Sequence, residues 1–521
     1  MPYQNPILPG FYPDPSICRV GDDFYLVTSS FEYFPGVPIF HSRDLVNWRQ
    51  IGHCLTRASQ LPLEGCWVSG GIWAPTIRHH NGLFYMATTN TTGGGHFYVT
   101  AQDPAGEWSE PIWVDGKGFD ASLFFDDDGK AYFQWYVYPL GIHQTEIDIA
   151  TGRHLTEPKI VWNGSGARSP EGPHLYKING IYYLMVAEGG TEDGHMISIA
   201  RGDSVWGPWE ACPRNPILSH RSLDLPIQTT GHGDLVQSSD GNWWMVCLGT
   251  RPVGYPRYHM LGRETFLAPV TWQDGFPIVG DNGTLALEID APLSAPPPPH
   301  TPGEGSQVPS PHGGGRRVRA DDFDSPTFGL HWNWLRNPIM DYYSLTQRDG
   351  WLRLIGTEST LEQDTSPTFL GRRQRHSHCR VTVSLDFIPQ TENEEAGLVA
   401  LGDAHHHYEI GISLQRGERT VFVRRKIGTL QTVVAQKSIP DGNIQLRITA
   451  DKTWYTFSFA TNNEWTDLAR GEVRYLCSEA GAAMFTGTYF GMYATGNGKT
   501  CQSPADFDWF DYEILEEPIT A

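Results

Sequence analysis

Asp14, Asp120 and Glu171, with Trp73 and His232, are the candidates for chemistry, because each stands eleven or twelve residues ahead of the second aromatic of a recurring hairpin. Three carboxylates around one cavity suit the cleavage of a glycosidic bond. One protonates the leaving oxygen, and another activates water or attacks directly. A third, close to the acid, raises the acid's pKa by like-charge repulsion and keeps it protonated near neutral pH. A tryptophan in the same cavity would offer an apolar wall to a sugar face.

These residues lie far apart in the chain, so a repeat must bring them together. Its clearest copy is Pro170-Glu171-Gly172-Pro173-His174-Leu175-Tyr176-Lys177-Ile178-Asn179-Gly180-Ile181-Tyr182-Tyr183-Leu184, a strand, an Asn-Gly turn and a returning strand with paired aromatics. The same design recurs at Gly21-Asp22-Asp23-Phe24-Tyr25, Asn81-Gly82-Leu83-Phe84-Tyr85, Asp128-Gly129-Lys130-Ala131-Tyr132 and Asp240-Gly241-Asn242-Trp243-Trp244. The second aromatics fall at 25, 85, 132, 183 and 244, a spacing that predicts five blades of a β-propeller. In that fold the heads of the innermost strands converge on the central axis, which would put all five candidates in one pocket.

The chain has 521 residues, enough for more than one domain. Residues 1–290 hold the repeats. Residues 291–319 are rich in Pro and Gly, including Ala295-Pro296-Pro297-Pro298-Pro299, and read as a linker. Residues 320–521 alternate in short strands, as in Val381-Thr382-Val383-Ser384-Leu385, and predict a β-sandwich of the concanavalin or laminin type. A net charge of −21 argues against nucleic acid and anionic membrane as partners, yet leaves a neutral sugar open. The eight cysteines form no CxxC pair and read as buried free thiols in a reducing compartment. The N-terminus lacks the basic and apolar run of a signal peptide, so a cytoplasmic location is expected unless a leader has been removed.

The motifs Pro6-Ile7-Leu8-Pro9-Gly10-Phe11-Tyr12-Pro13-Asp14-Pro15, Trp73-Ala74-Pro75, Phe119-Asp120-Ala121-Ser122, Glu171-Gly172-Pro173-His174, Thr230-Gly231-His232-Gly233-Asp234 and Leu261-Gly262-Arg263-Glu264-Thr265 resemble glycoside hydrolase family 43. Phe323-Asp324-Ser325-Pro326 and Leu370-Gly371-Arg372-Arg373-Gln374 resemble its two-domain branch of β-xylosidases and α-L-arabinofuranosidases. The resemblance implies a five-bladed propeller, an inverting mechanism and release of a terminal pentose. It implies Asp14 as general base, Glu171 as general acid and Asp120 as the residue that orients Glu171 and tunes its pKa. Arg263, Trp73, Phe31, Thr191 and His232 would contact the sugar, and Tyr489 of the second domain would close the pocket. No cofactor is required. A structural calcium near His232 is possible, although one histidine is not a site for a cation that takes six to eight oxygens. The implied partner is a xylo-oligosaccharide or an arabinoxylan fragment, and a homo-oligomer is possible.

Each residue also has an ordinary structural role open to it. An Asp before a proline can close a turn, His232 can be a satisfied core histidine, Arg263 can pair a buried acid, and Trp73 and Phe31 can be core aromatics. His405-His406-His407 beside Asp403 reads as an exposed hairpin turn. The distant alternative is a carbohydrate-binding protein without catalysis, which would not need three acids around one sugar.

Overall fold

The structure is a computed structural model that describes residues 2–290, 316–481 and 485–517. Apart from three short 3-10 turns, its regular elements are β-strands. No helix among the described residues is long and apolar enough to cross a membrane.

The first compact unit takes in the described residues up to Leu63, Gly70–Pro252, and residues 263–290. It contains five four-stranded antiparallel sheets, each built in chain order from the inside out. Their inner strands are Ser16–Val20, Thr76–His80, Phe119–Phe125, Glu171–Ile178 and Gln228–Gln237. Each contacts the next, and the fifth contacts the first, so the five sheets are the blades of a closed propeller. Closure is reinforced where Tyr3–Gln4 pairs with Glu288–Ile289 and the Asn5 amide donates to the carbonyls of Leu267 and Ala286.

The first hairpin of three blades turns in two residues. Ile178 pairs with Ile181 across Asn179 (φ +52°) and Gly180 (φ +84°), the left-handed pair that matches the twist of the strands. Blades one and two turn likewise at Gly21-Asp22 and Asn81-Gly82, whereas blades three and five use five-residue loops at 126–130 and 238–242.

The second unit takes in Glu64–Ser69, Val253–Gly262 and the described residues from Arg316 onward. It is a sandwich of an eight-stranded sheet, centred on Cys379–Asp386 and Ala505–Ile514, and a six-stranded sheet. In chain order the six strands are Thr368–Arg373, Glu395–Asp403, His406–Gln415, Glu418–Ile427, Leu430–Ser438 and Tyr489–Thr495. Val381, Val383, Leu398, Ile410, Val421, Leu446, Ile448 and Phe457 are fully buried in its core. The predicted linker lies outside the described residues over 291–315, and the strand Arg316–Asp321 begins within the remainder, paired to Ala505–Ile514. All eight cysteines are buried and unbridged.

Of the three histidines only His405 occupies the hairpin turn between Glu395–Asp403 and His406–Gln415, and only it is exposed; His406 and His407 open the second strand. His406 and His407 are buried, each bonded through Nδ1 to Asp403, so the expected exposed turn is corrected for these two.

Candidate active site

The inner strands share an irregularity that sequence counting cannot register. Ser16, Thr76, Ser122, His174 and Asp234 are equivalent, each paired with the residue two past the second aromatic of its blade. Three residues nearer the N-terminus, Pro13, Trp73, Phe119, Glu171 and Gly231 oppose Ser29, Thr89, Tyr136, Ala187 and Leu248. In every blade this slips the register by one residue, which is a β-bulge, a device that bends a strand and re-aims its side chains.

The first residue of the bulge is Asp14, Ala74, Asp120, Gly172 or His232. Four of the five have a left-handed backbone, with φ of +53° at Asp14, +59° at Asp120, +58° at Gly172 and +44° at His232. Aspartate tolerates that conformation better than most residues, and glycine adopts it freely. Asp14, Asp120 and His232 therefore share one register, while Glu171 and Trp73 enter one residue earlier. The difference of one was hidden by the unequal hairpin loops.

Arg263 is the cation of the site. Its guanidinium donates to Asp14 Oδ1 at 3.0 Å and to Thr191 Oγ1 at 3.0 Å, and it lies over the Phe31 ring, 5.6 Å from the centroid. The Ser29 hydroxyl donates to Asp14 Oδ2 at 2.6 Å, and His232 Nδ1 is 3.7 Å from Asp14 Oδ1. Burial opposes the charge on Asp14, but Arg263 first, and then the Ser29 hydroxyl, outweigh it and hold its pKa below the usual carboxylate range.

Asp120 and Glu171 meet the opposite situation. Asp120 accepts one hydrogen bond, from the Gly172 N–H at 2.9 Å. Burial, then the neighbouring Glu171 and Asp14, push its pKa well above the ordinary value. Glu171 keeps part of its surface open, yet burial and then Asp14 push its pKa up to about 8. The two titrate as a pair, so at neutral pH the pocket holds protons beside Glu171 while Asp14 is ionised.

The apolar wall is a set of rings. Phe31 faces Trp73 at 6.3 Å between centroids, and Trp73 meets Phe119 edge-on at 5.1 Å. His232 packs against the backbone of Gly172, where any Cβ would come within 2.8 Å of its ring. Burial lowers the pKa of His232, and it lowers that of His195 to about 3, so both rings are neutral.

Asp14, Asp120, Glu171, Arg263, Thr191 and His232 are thus linked by hydrogen bonds or charge in one place, with Phe31 and Trp73 beside them. Tyr489 belongs to the second unit, where it is fully buried in the strand Tyr489–Thr495 with the Arg373 guanidinium over its ring at 5.4 Å. Sequence reasoning missed Ser29, Phe119 and His195. Phe119 had a signal, since it directly precedes Asp120 at a strand head; Ser29 and His195 had none.

The carboxylates nearest His232 already have partners. Asp14 is engaged by Arg263 and Ser29, and Asp234 is engaged by Arg78, Ser16 and Tyr176. Among the described residues no group of three or more His, Cys, Asp or Glu is placed to hold a metal ion.

Residues 3–277 match the family described as glycosyl hydrolases family 43, and residues 320–513 match the β-xylosidase C-terminal concanavalin A-like domain. The chain is 46% identical to the non-reducing end alpha-L-arabinofuranosidase BoGH43B of Bacteroides ovatus, over 99% of this chain and 95% of that protein. It is 40% identical to the xylosidase/arabinosidase of Butyrivibrio fibrisolvens, over 98% of this chain and 99% of the relative. Among solved structures, the Bacteroides ovatus xyloglucan PUL GH43B superposes with a TM-score of 0.92 at 45% identity, covering 99% of this chain and 100% of its own.

Proposed function

The chain belongs to family 43 of the glycosyl hydrolases, and on that premise we propose that it is an inverting, exo-acting enzyme that releases xylose from the non-reducing end of β-1,4-xylo-oligosaccharides. The observation that carries the mechanism is the split of charge within one pocket. Asp14 is held ionised by Arg263, while burial and like charge hold a proton on the Asp120–Glu171 pair.

Glu171, protonated, donates to the glycosidic oxygen as the bond to the anomeric carbon breaks. Asp14, fixed by Arg263 and Ser29, takes a proton from a water that attacks the opposite face of the sugar. Asp120 acts through Glu171: it accepts from the Gly172 N–H next to the acid and titrates with it as a pair. Arg263, Thr191 and the neutral His232 offer hydrogen bonds to sugar hydroxyls, and Phe31 and Trp73 supply the apolar wall. No step requires a metal.

A second reading, α-L-arabinofuranosidase acting on arabinoxylan side chains, is favoured by one specific observation. The relative sharing 46% identity over nearly the whole chain carries that activity in its name, and the one sharing 40% carries both. The deciding experiment is hydrolysis of aryl β-D-xylopyranoside and aryl α-L-arabinofuranoside side by side, with the anomer of the released sugar followed by NMR. Xylose released first as the α-anomer, at a rate cut by about 10²–10⁴ in Asp14→Ala, is the expected result. Faster arabinoside cleavage would transfer the activity to the second reading, and first release of β-xylose would overturn inversion.

A further inference from the structure

Glu171 is reached through a stretch of chain that has no strand pairing of its own. Residues 163–170 join the outer strand Lys159–Trp162 of the third blade to the inner strand Glu171–Ile178 of the fourth, and Ser165, Gly166 and Arg168 within them are exposed. Ser169, two residues before Glu171, has φ +52°, a left-handed backbone that few residues other than glycine adopt. Such strain persists only where the surroundings hold it. An exposed, irregular stretch cannot supply that hold by itself.

The hold comes from the returning strand of the same blade. Glu188 ends the strand Ile181–Glu188, one residue past Ala187, the cross-strand partner of Glu171. It is fully buried, and its carboxylate is turned onto the lead-in. Oε1 accepts from the Ser165 N–H at 3.0 Å and the Ala167 N–H at 3.2 Å, and Oε2 accepts from the Ser165 hydroxyl at 2.7 Å. Gly164 passes so close that any Cβ there would come within 2.3 Å of Oε1. Arg168 closes the other side. Its Nε donates to the Gly189 carbonyl at 2.8 Å, its own carbonyl accepts from the Gly189 N–H at 2.8 Å, and its guanidinium pairs with Glu192 at 2.9 Å. Gly189 and Glu192 stand on either side of Thr191, which accepts from Arg263. The approach to Glu171 and the cation of Asp14 are thus tied to one loop.

We propose that Glu188, aided by Arg168, is a positioning residue for the general acid: it clamps residues 164–170 in the shape that brings the Glu171 carboxyl to the glycosidic oxygen. The assignment rests on the glycosidase reading above. Glu188 acts through the backbone that carries Glu171, and a misplacement of about 1 Å at a catalytic group costs about 10² in rate. Its loss is therefore felt only where a proton must be delivered. A sugar hydroxyl needs that proton to depart, whereas a leaving group as acidic as dinitrophenol does not.

The test compares xylobiose with dinitrophenyl β-D-xylopyranoside, or the matching arabinosides if that is the pentose released, in Glu188→Ala, Glu188→Gln, Arg168→Met and, for reference, Glu171→Gln. In Glu188→Ala, kcat on xylobiose should fall by about ten- to a hundredfold with KM unchanged, while the dinitrophenyl rate stays within about twofold. Glu188→Gln keeps an oxygen for both N–H groups and should restore the rate on xylobiose. Arg168→Met, at the surface, should show the same selective loss at about three- to tenfold, and it decides alone if Glu188→Ala does not fold. Equal loss on both substrates, or none on either, overturns the clamp. If Glu171→Gln separates the two substrates and neither clamp variant does, the clamp falls and the enzyme reading stands. If Glu171→Gln does not separate them, the acid assignment falls as well.

Discussion

Two levels of the propeller axis bury aspartate in contrasting ways. At the bulge, Asp120 accepts one backbone hydrogen bond and faces two further carboxylates. Two residues deeper into the inner strands, at the level of Ser16, Ser122 and His174, the fully buried Asp234 accepts from Arg78 at 2.7 Å, Ser16 at 2.7 Å, Tyr176 at 2.6 Å and the Ile17 N–H at 3.1 Å. Burial alone would raise both pKa values. At Asp234, Arg78 and then His174 reverse that and drive it well below the carboxylate range, whereas at Asp120 nothing does. The deep level joins blades one, two, four and five through one saturated network and serves the fold. The upper level is left short of cations, and that shortage is what the proposed chemistry would use.

Breaking the deep level should show the larger effect on stability. Arg78→Met leaves Asp234 buried without its counter-charge and should cost about 3–5 kcal/mol in chemical denaturation. A loss below about 1 kcal/mol would mean that water already reaches Asp234. The upper level is tested by pH. With Glu171 pushed up to about 8, kcat/KM should fall as pH rises through that value, by about tenfold per unit beyond it. The acid limb should lie below the ordinary carboxylate range, because Asp14 resists protonation. An alkaline limb near pH 5 would remove the basis for the charge split.

The smallest effect sharpens the comparison most. A carboxyl whose folded pKa is raised binds its proton more tightly in the folded state, so the stability it contributes is fully present below the ordinary glutamate range and is lost as pH rises through about 8. Glu171→Gln escapes that loss. Its Tm should match the unmutated protein at pH 5 and exceed it by about 2–4 °C at pH 8 to 9. An equal shift at both pH values would point to packing instead. Arg78→Met should show no such gain at any pH.

The blades were legible because their turns and paired aromatics are local. Asn179-Gly180 dictates a hairpin wherever it stands between two strands, and five such signals at blade spacing imply a closed ring. Asp14, Asp120 and Glu171 were legible as companions for the same reason. What the chain did not reveal was the register that places them. A bulge adds one residue to one strand, and the five-residue loops at 126–130 and 238–242 offset the count again, so Glu171 and His232 looked equivalent when Gly172 and His232 are. Non-local partners were hidden as well: Ser29 reaches Asp14 from the next strand, and Arg78 reaches Asp234 from across the axis. In the second unit, His406 and His407 looked like a solvated turn, but both rings turn inward onto Asp403. Charge pattern alone does not say which way a hairpin faces.

The bulge at the head of each inner strand amounts to five interchangeable sockets in one frame. Because the extra residue stands outside the ladder, its side chain can change without altering the hydrogen bonds above or below it. Asp14, Asp120, Gly172 and His232 fill four sockets with two carboxylates, a glycine next to a third carboxylate, and an imidazole. Ala74 fills the fifth with a methyl group. It is the natural place to install a new contact, and with it a different preference among sugars, while Asp14, Asp120 and Glu171 stay where they are.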